Sequence, residues 1–90
     1  MANPEHVATI KQGAEAIAAW REKNPEVRLD LSEANLNSEI LLSVDLSGAD
    51  LHRAKLFRAV LQHAKLTQCE LWQANLAEAD LFNANLTADG

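Results

Sequence analysis

The chain has 90 residues, 48% of them hydrophobic and 23% charged, with a net charge of −5 at pH 7. That fits one small domain only marginally able to stabilise itself, and the single cysteine, Cys69, excludes a disulfide within one chain. No stretch approaches the roughly eighteen apolar residues of a membrane span, and no basic segment followed by an apolar run opens the chain, so a cytoplasmic protein without membrane contact is expected.

Residues 1–28 read as a helix and a linker. Asn3 is a suitable N-cap, Pro4 fits the first turn, Glu5 favours the positive end of the helix dipole, and Asn24-Pro25 stops the run. One helix is predicted over about Pro4 to Lys23. Val7, Ile10, Ala14, Ile17 and Ala18 fall on one face with Trp20 at its edge, and such a face needs an apolar surface to rest on. The exposed top of the segment that follows is the nearest one. The helix is therefore expected to be an N-terminal cap that shields it, a partner-binding helix being the alternative.

A different rule governs residues 29–88. Leucine recurs at every fifth position at Leu31, Leu36, Leu41, Leu46, Leu51, Leu56, Leu61, Leu66, Leu71, Leu76, Leu81 and Leu86, and a small residue precedes nine of the twelve by two positions. A period of five matches neither the helical 3.6 nor the strand period of 2, which leaves a solenoid. If coils stack at the usual β spacing of about 4.8 Å, backbone groups pair between coils and side chains form vertical columns. Cys69 falls at a small-residue position and is expected to replace a buried alanine rather than to do chemistry.

The unit is Ala-(Asp/Asn)-Leu-x-x, seen in Ala34-Asn35-Leu36, Ala49-Asp50-Leu51, Ala74-Asn75-Leu76, Ala79-Asp80-Leu81 and Ala84-Asn85-Leu86. It resembles the pentapeptide-repeat family. That resemblance implies an all-β solenoid, a right-handed quadrilateral β-helix with one repeat per side and twenty residues per coil, so twelve repeats make three coils. The predicted organisation is a capping helix and linker at 1–28, the β-helix at 29–88 and a tail at 89–90.

The first coil is the least regular, because Leu29 and Val44 exceed the usual alanine and Glu39 replaces it. A carboxylate at an inward position is costly unless it reaches solvent or a partner, so Glu39 is expected at a splayed repeat or at the cap junction. At the far end no capping segment follows, and Leu71, Leu76, Leu81 and Leu86 would line an open apolar floor. An end-to-end homodimer through that floor is expected, unless the chain is a fragment of a longer repeat protein.

One subgroup of the resembled family consists of acidic, DNA-shaped rods directed at DNA gyrase or topoisomerase. Here the charge is banded instead: residues 29–48 hold four acids and no base, 49–68 one acid and four bases, and 69–88 three acids. Twenty-residue columns would set Glu33 near Arg53, Asp45 near Lys65, and Lys55 and Arg58 near Glu78, an alternation that favours stacking. The bases of the middle coil spread over all four sides, so nucleic acid is not the expected partner.

Outward apolar residues are more informative. Ile40, Leu42, Val60 and Phe82 all fall on the third side, which makes that side the candidate protein-contact face. Phe57 and Trp72 lie on the two adjacent sides. His6, His52 and His63 have neither metal-pair spacing nor a nucleophile in register, and the three glycines form no phosphate loop. No catalytic residue, metal or cofactor is expected. The sequence thus points to a non-enzymatic, rigid protein-binding or scaffolding module with an unnamed protein partner, the gyrase-directed DNA mimic being the alternative.

Overall fold

A computed structural model describes residues 1–87; the expected end of the last repeat at residue 88 and the tail at 89–90 lie outside the described residues. The N-terminal segment forms two helices, α1 over Pro4–Ile10 and α2 over Ala14–Lys23, rather than the single helix expected. The break has a local cause. Gln12 and Gly13 donate their amides to Thr9 and Ile10 in tight turns, and Gly13 takes φ 104°, a value open to glycine and strained for other residues. Asn3 caps α1 as expected, its side chain accepting the Glu5 amide at 2.9 Å, and α2 stops at Asn24, whose amide returns to the Trp20 carbonyl.

From residue 30 onward the chain is a β-helix solenoid. Parallel single-residue bridges join Asp30 to Asp50 to Glu70, Asn35 to Lys55 to Asn75, Ile40 to Val60 to Asp80, and Asp45 to Lys65 to Asn85. The register is therefore twenty residues. Each bridge stands alone because a turn follows at once: the Ala34 amide donates to the Leu31 carbonyl at 3.1 Å, and Ala54 to Leu51, Ala64 to Leu61 and Ala84 to Leu81 do the same. The third residue of each turn has positive φ, near 60° from Glu33 to Asn83 and 74° at Gly48, the signature of a type II turn. Four such turns complete each circuit.

Burial follows the repeat. Leu31, Leu36, Leu41, Leu46, Leu51, Leu56 and Leu61 are essentially fully buried, with Ala49, Ala54, Ala59 and Ala64 filling the space between them. The preference for Asp or Asn before each leucine also has a visible reason. Asp30, Asn35, Asp45, Asp50, Asn75, Asp80 and Asn85 each accept, through Oδ1, the amide two residues on, which pins the start of the turn. At the N-terminal end Ile10 and Ile17 are fully buried in the same core as the leucines, with Val7, Ala14 and Trp20 packed against it. Ala18, expected on the inner face, is exposed, because the break at Gly13 rotates α2 relative to one continuous helix.

Candidate interaction surfaces

Three surfaces stand out on this frame. On the third side, Ile40 and Val60 are bridged neighbours in one column, while Leu42 and Phe82 belong to the parallel column two residues on. Ile40 is 68% exposed, Phe82 64% and Leu42 47%, and Val60 is half-buried. The four do not form one unbroken patch. Gln62 stands between Leu42 and Phe82, and its side-chain amide donates to Asp80 Oδ2 at 2.6 Å across the columns. That donor, with the Phe82 amide, holds the Asp80 carboxyl below its ordinary range against the opposing effect of burial. Ile40, Leu42 and Val60 thus lie together in the first two coils, whereas Phe82 packs edge-on against His63 with ring centroids 5.9 Å apart.

The first side carries a polar and aromatic cluster that the sequence did not advertise, and it includes Trp72, which lies opposite the third side rather than on a side adjacent to it. His52 Nδ1 lies 2.6 Å from Asp50 Oδ1, and the His52 ring stacks on Trp72 at 4.7 Å and 2° between planes. Arg53 lies 5.8 Å from the same indole and donates to Gln73 Oε1 at 2.8 Å. Burial raises the Asp50 carboxyl, but the His52 amide, the His52 ring and the Arg28 charge outweigh it and leave the carboxyl below its usual range. Ser32 precedes His52 in the same column, and its hydroxyl donates to Asp30 Oδ1 at 2.8 Å. All three histidines in fact meet an aromatic ring, since His6 packs edge-on against Trp20 at 4.8 Å. The twenty-residue register, applied to outward positions, could have found the His52–Trp72 pair, whereas His63–Phe82 is a diagonal contact nineteen residues apart that the register does not align.

Cross-coil charges pair much as the columns require. Arg58 meets Glu78 at 2.8 Å and Arg53 approaches Glu33 at 3.9 Å, and Lys65 lies close enough to Asp45 to help lower its carboxyl. Lys55, grouped with Glu78 in the sequence reading, forms no ion pair there. Two pairs come from outside the repeats: Arg28 meets Glu70 at 2.6 Å and Arg21 meets Asp45 at 3.6 Å.

The Pentapeptide repeats family model matches residues 27–62 and 54–88, with eight copies of the repeat. The chain belongs to the pentapeptide-repeat family. No curated relative matches it.

As a pentapeptide-repeat protein its third surface is the last coil's leucine floor. Leu71, Leu76 and Leu81 are partly buried and Leu86 is 51% exposed, in contrast to the sealed leucines above them. Cys69, at a small-residue position of this repeat protein, donates its thiol to the Leu46 carbonyl at 2.8 Å, and burial pushes its pKa up to about 11. Among the described residues no group of three or more His, Cys, Asp or Glu side chains is placed to hold a metal ion. No helix of the described residues is long and apolar enough to cross a membrane.

Proposed function

We propose that this pentapeptide-repeat chain is a non-enzymatic, rigid protein-interaction or scaffolding module, built as a right-handed, four-sided β-helix of three coils and closed at its N-terminal end by the α1–α2 pair. The observation that carries this reading is the third side. Ile40, Leu42 and Phe82 stand largely exposed there, on a rod whose other outward positions are mostly polar and hydrogen-bonded to their own backbone. A rod held by backbone pairing offers such residues at fixed spacing without moving parts. The leucine floor is a second contact surface in this reading, where a second copy would pair end to end.

Affinity capture with the full chain tests the proposal, comparing wild type with Ile40→Glu and Phe82→Glu. A partner held by the wild type and lost by either substitution is the expected outcome, and the absence of any substitution-sensitive partner would count against the contact face. A supercoiling assay run beside it separates the gyrase-directed alternative. The module reading expects no change in supercoiling, since the bases of the middle coil interrupt any phosphate-like stripe and Arg53 and Arg58 are turned toward the acids of neighbouring coils.

A further inference from the structure

Backbone pairing gives the solenoid a direction. Between the first and second coils eight amides donate toward the C-terminal end, those of Leu31, Glu33, Leu36, Ser38, Leu41, Ser43, Leu46 and Gly48, and only four, of Asp50, Lys55, Val60 and Lys65, donate back. The same division holds between the second and third coils. The upper rim of the first coil therefore presents twice as many carbonyls as amides.

The helices engage only part of that rim. Asn3 donates its amide to the Asp30 carbonyl at 3.1 Å, His6 Nδ1 accepts the Asp30 amide at 2.9 Å, and the Arg21 guanidinium donates to the Asp45 and Ser47 carbonyls at 3.4 and 3.1 Å. All of these contacts lie on the first and fourth sides. Along the second and third sides, the amides of Asn35 and Ile40 and the carbonyls of Asn35, Asn37, Ile40 and Leu42 have no hydrogen-bond partner among the described residues. Glu39 stands at the corner between these two sides, partly exposed, and its carboxylate forms no ion pair or hydrogen bond among the described residues. Exposed Ile40 and Leu42 follow it.

We propose that this open rim takes one extended, cationic segment of a partner protein, added along Ile40–Leu42 in the direction of the coils. The proposal rests on the reading of the third side as a contact face and names what that face accepts. The added backbone donates to the Ile40 carbonyl and accepts the Ile40 amide. Those two bonds repeat, one level up, the Leu41-to-Val60 and Val60-to-Glu39 bonds of the coil below, and the Leu42 carbonyl is left at the turn, where Ser43 takes φ 58°. Alternate apolar side chains of the segment cover Ile40 and Leu42, and a Lys or Arg reaches Glu39. Charge favours this occupant over an acidic one, because Glu39 is the one charged residue of the second and third sides in this coil, residues 34–43.

The test is an amide chemical-shift titration of the full chain with an eight-residue peptide of alternating valine and lysine. Saturable shifts confined to residues 35–43 are expected. Glu39→Gln should weaken binding about two- to fivefold, as for an exposed ion pair. Leu42→Glu should abolish the shifts while leaving the remaining spectrum intact, and so should N-methylation of the peptide's pairing amides. Absence of saturable shifts, shifts mapped to another side, or unchanged binding of the N-methylated peptide would overturn strand addition. Self-association of the unliganded chain that Leu42→Glu dissolves would also overturn it, since a second copy would then fill the rim. The two readings fail separately: peptide silence with a captured partner still lost on Ile40→Glu leaves the contact module standing and removes only the cationic segment.

Discussion

Each repeat forces one residue into left-handed backbone, and eleven consecutive repeats do so from Glu33 to Asn83. Only Gly48 and Asn83 are residue types that accept this readily; the others include Glu33, Arg53, Arg58, Gln68, Gln73 and Glu78. Left-handed backbone costs an ordinary L-residue roughly 1–2 kcal/mol, so the solenoid carries conformational strain that its stacking offsets. Gln68 is a clean place to relieve it, because its side chain is exposed and forms no hydrogen bond among the described residues while φ is 60°. Gln68→Gly should raise stability by about 0.5–1 kcal/mol, less than the full strain because glycine also loosens the unfolded chain. The converse change, Gly48→Ala, meets no atom within 4 Å of the new Cβ, so its cost of about 1 kcal/mol should be purely conformational. Urea midpoints of the two variants would read both effects with opposite signs. At this scale the sequence was half legible. The Asp or Asn before each leucine could be recognised as turn-forming, since those side chains cap their own backbone wherever they occur. The left-handed residues could not, because Arg, Gln and Glu carry no turn signature of their own.

The N-terminal helices illustrate the same division one level up. The N-cap at Asn3, the stop at Asn24 and the inward Ile10 and Ile17 were all readable from spacing and capping chemistry. The break was not, because an isolated glycine in an otherwise helical pattern is usually tolerated, whereas here Gly13 takes φ 104° and separates α1 from α2. Neither helix is long enough to be stable alone, so both depend on the coil beneath. Ile17 is the anchor of α2, fully buried against the leucine core, and Ile17→Ala should cost about 2–5 kcal/mol. Trp20 and His6 meet just above that contact, so Trp20 fluorescence should report release of the helices on the same transition as the loss of β structure. Two separate transitions would mean that the helices and the solenoid fold independently.

At the scale of the whole molecule, burial grades from one end of the rod to the other. The first two coils keep their leucines dry, whereas Leu71, Leu76, Leu81 and Leu86 retain contact with water. In a stack where each coil touches only its neighbours, stability follows the number of covered faces. Leu61→Ala should therefore cost about 2–5 kcal/mol, and Leu81→Ala, one coil further on in the same column, distinctly less. Hydrogen exchange provides the check: amides of Leu51, Leu56 and Leu61 should be the slowest, and those of the last coil should exchange first. The repeat and its register were plain in the sequence at this scale, because every fifth residue reports on one interior. The candidate contact face was legible only in outline. Spacing put Ile40, Leu42, Val60 and Phe82 on one side, but the Gln62–Asp80 hydrogen bond that divides them depends on side-chain reach between columns.

The twenty-residue register makes length a means of steering. Inserting twenty residues between coils leaves every column intact and simply separates the surfaces above and below. Inserting five preserves the interior equally well, since the leucine rhythm continues, yet it carries everything downstream a quarter of a circuit around the axis. Phe82 would then leave the side of Ile40 and point elsewhere, with no core residue changed. Pentapeptide duplications thus let such a chain re-aim its outer faces independently of its stability, a freedom that folds with a single interlocked core do not possess.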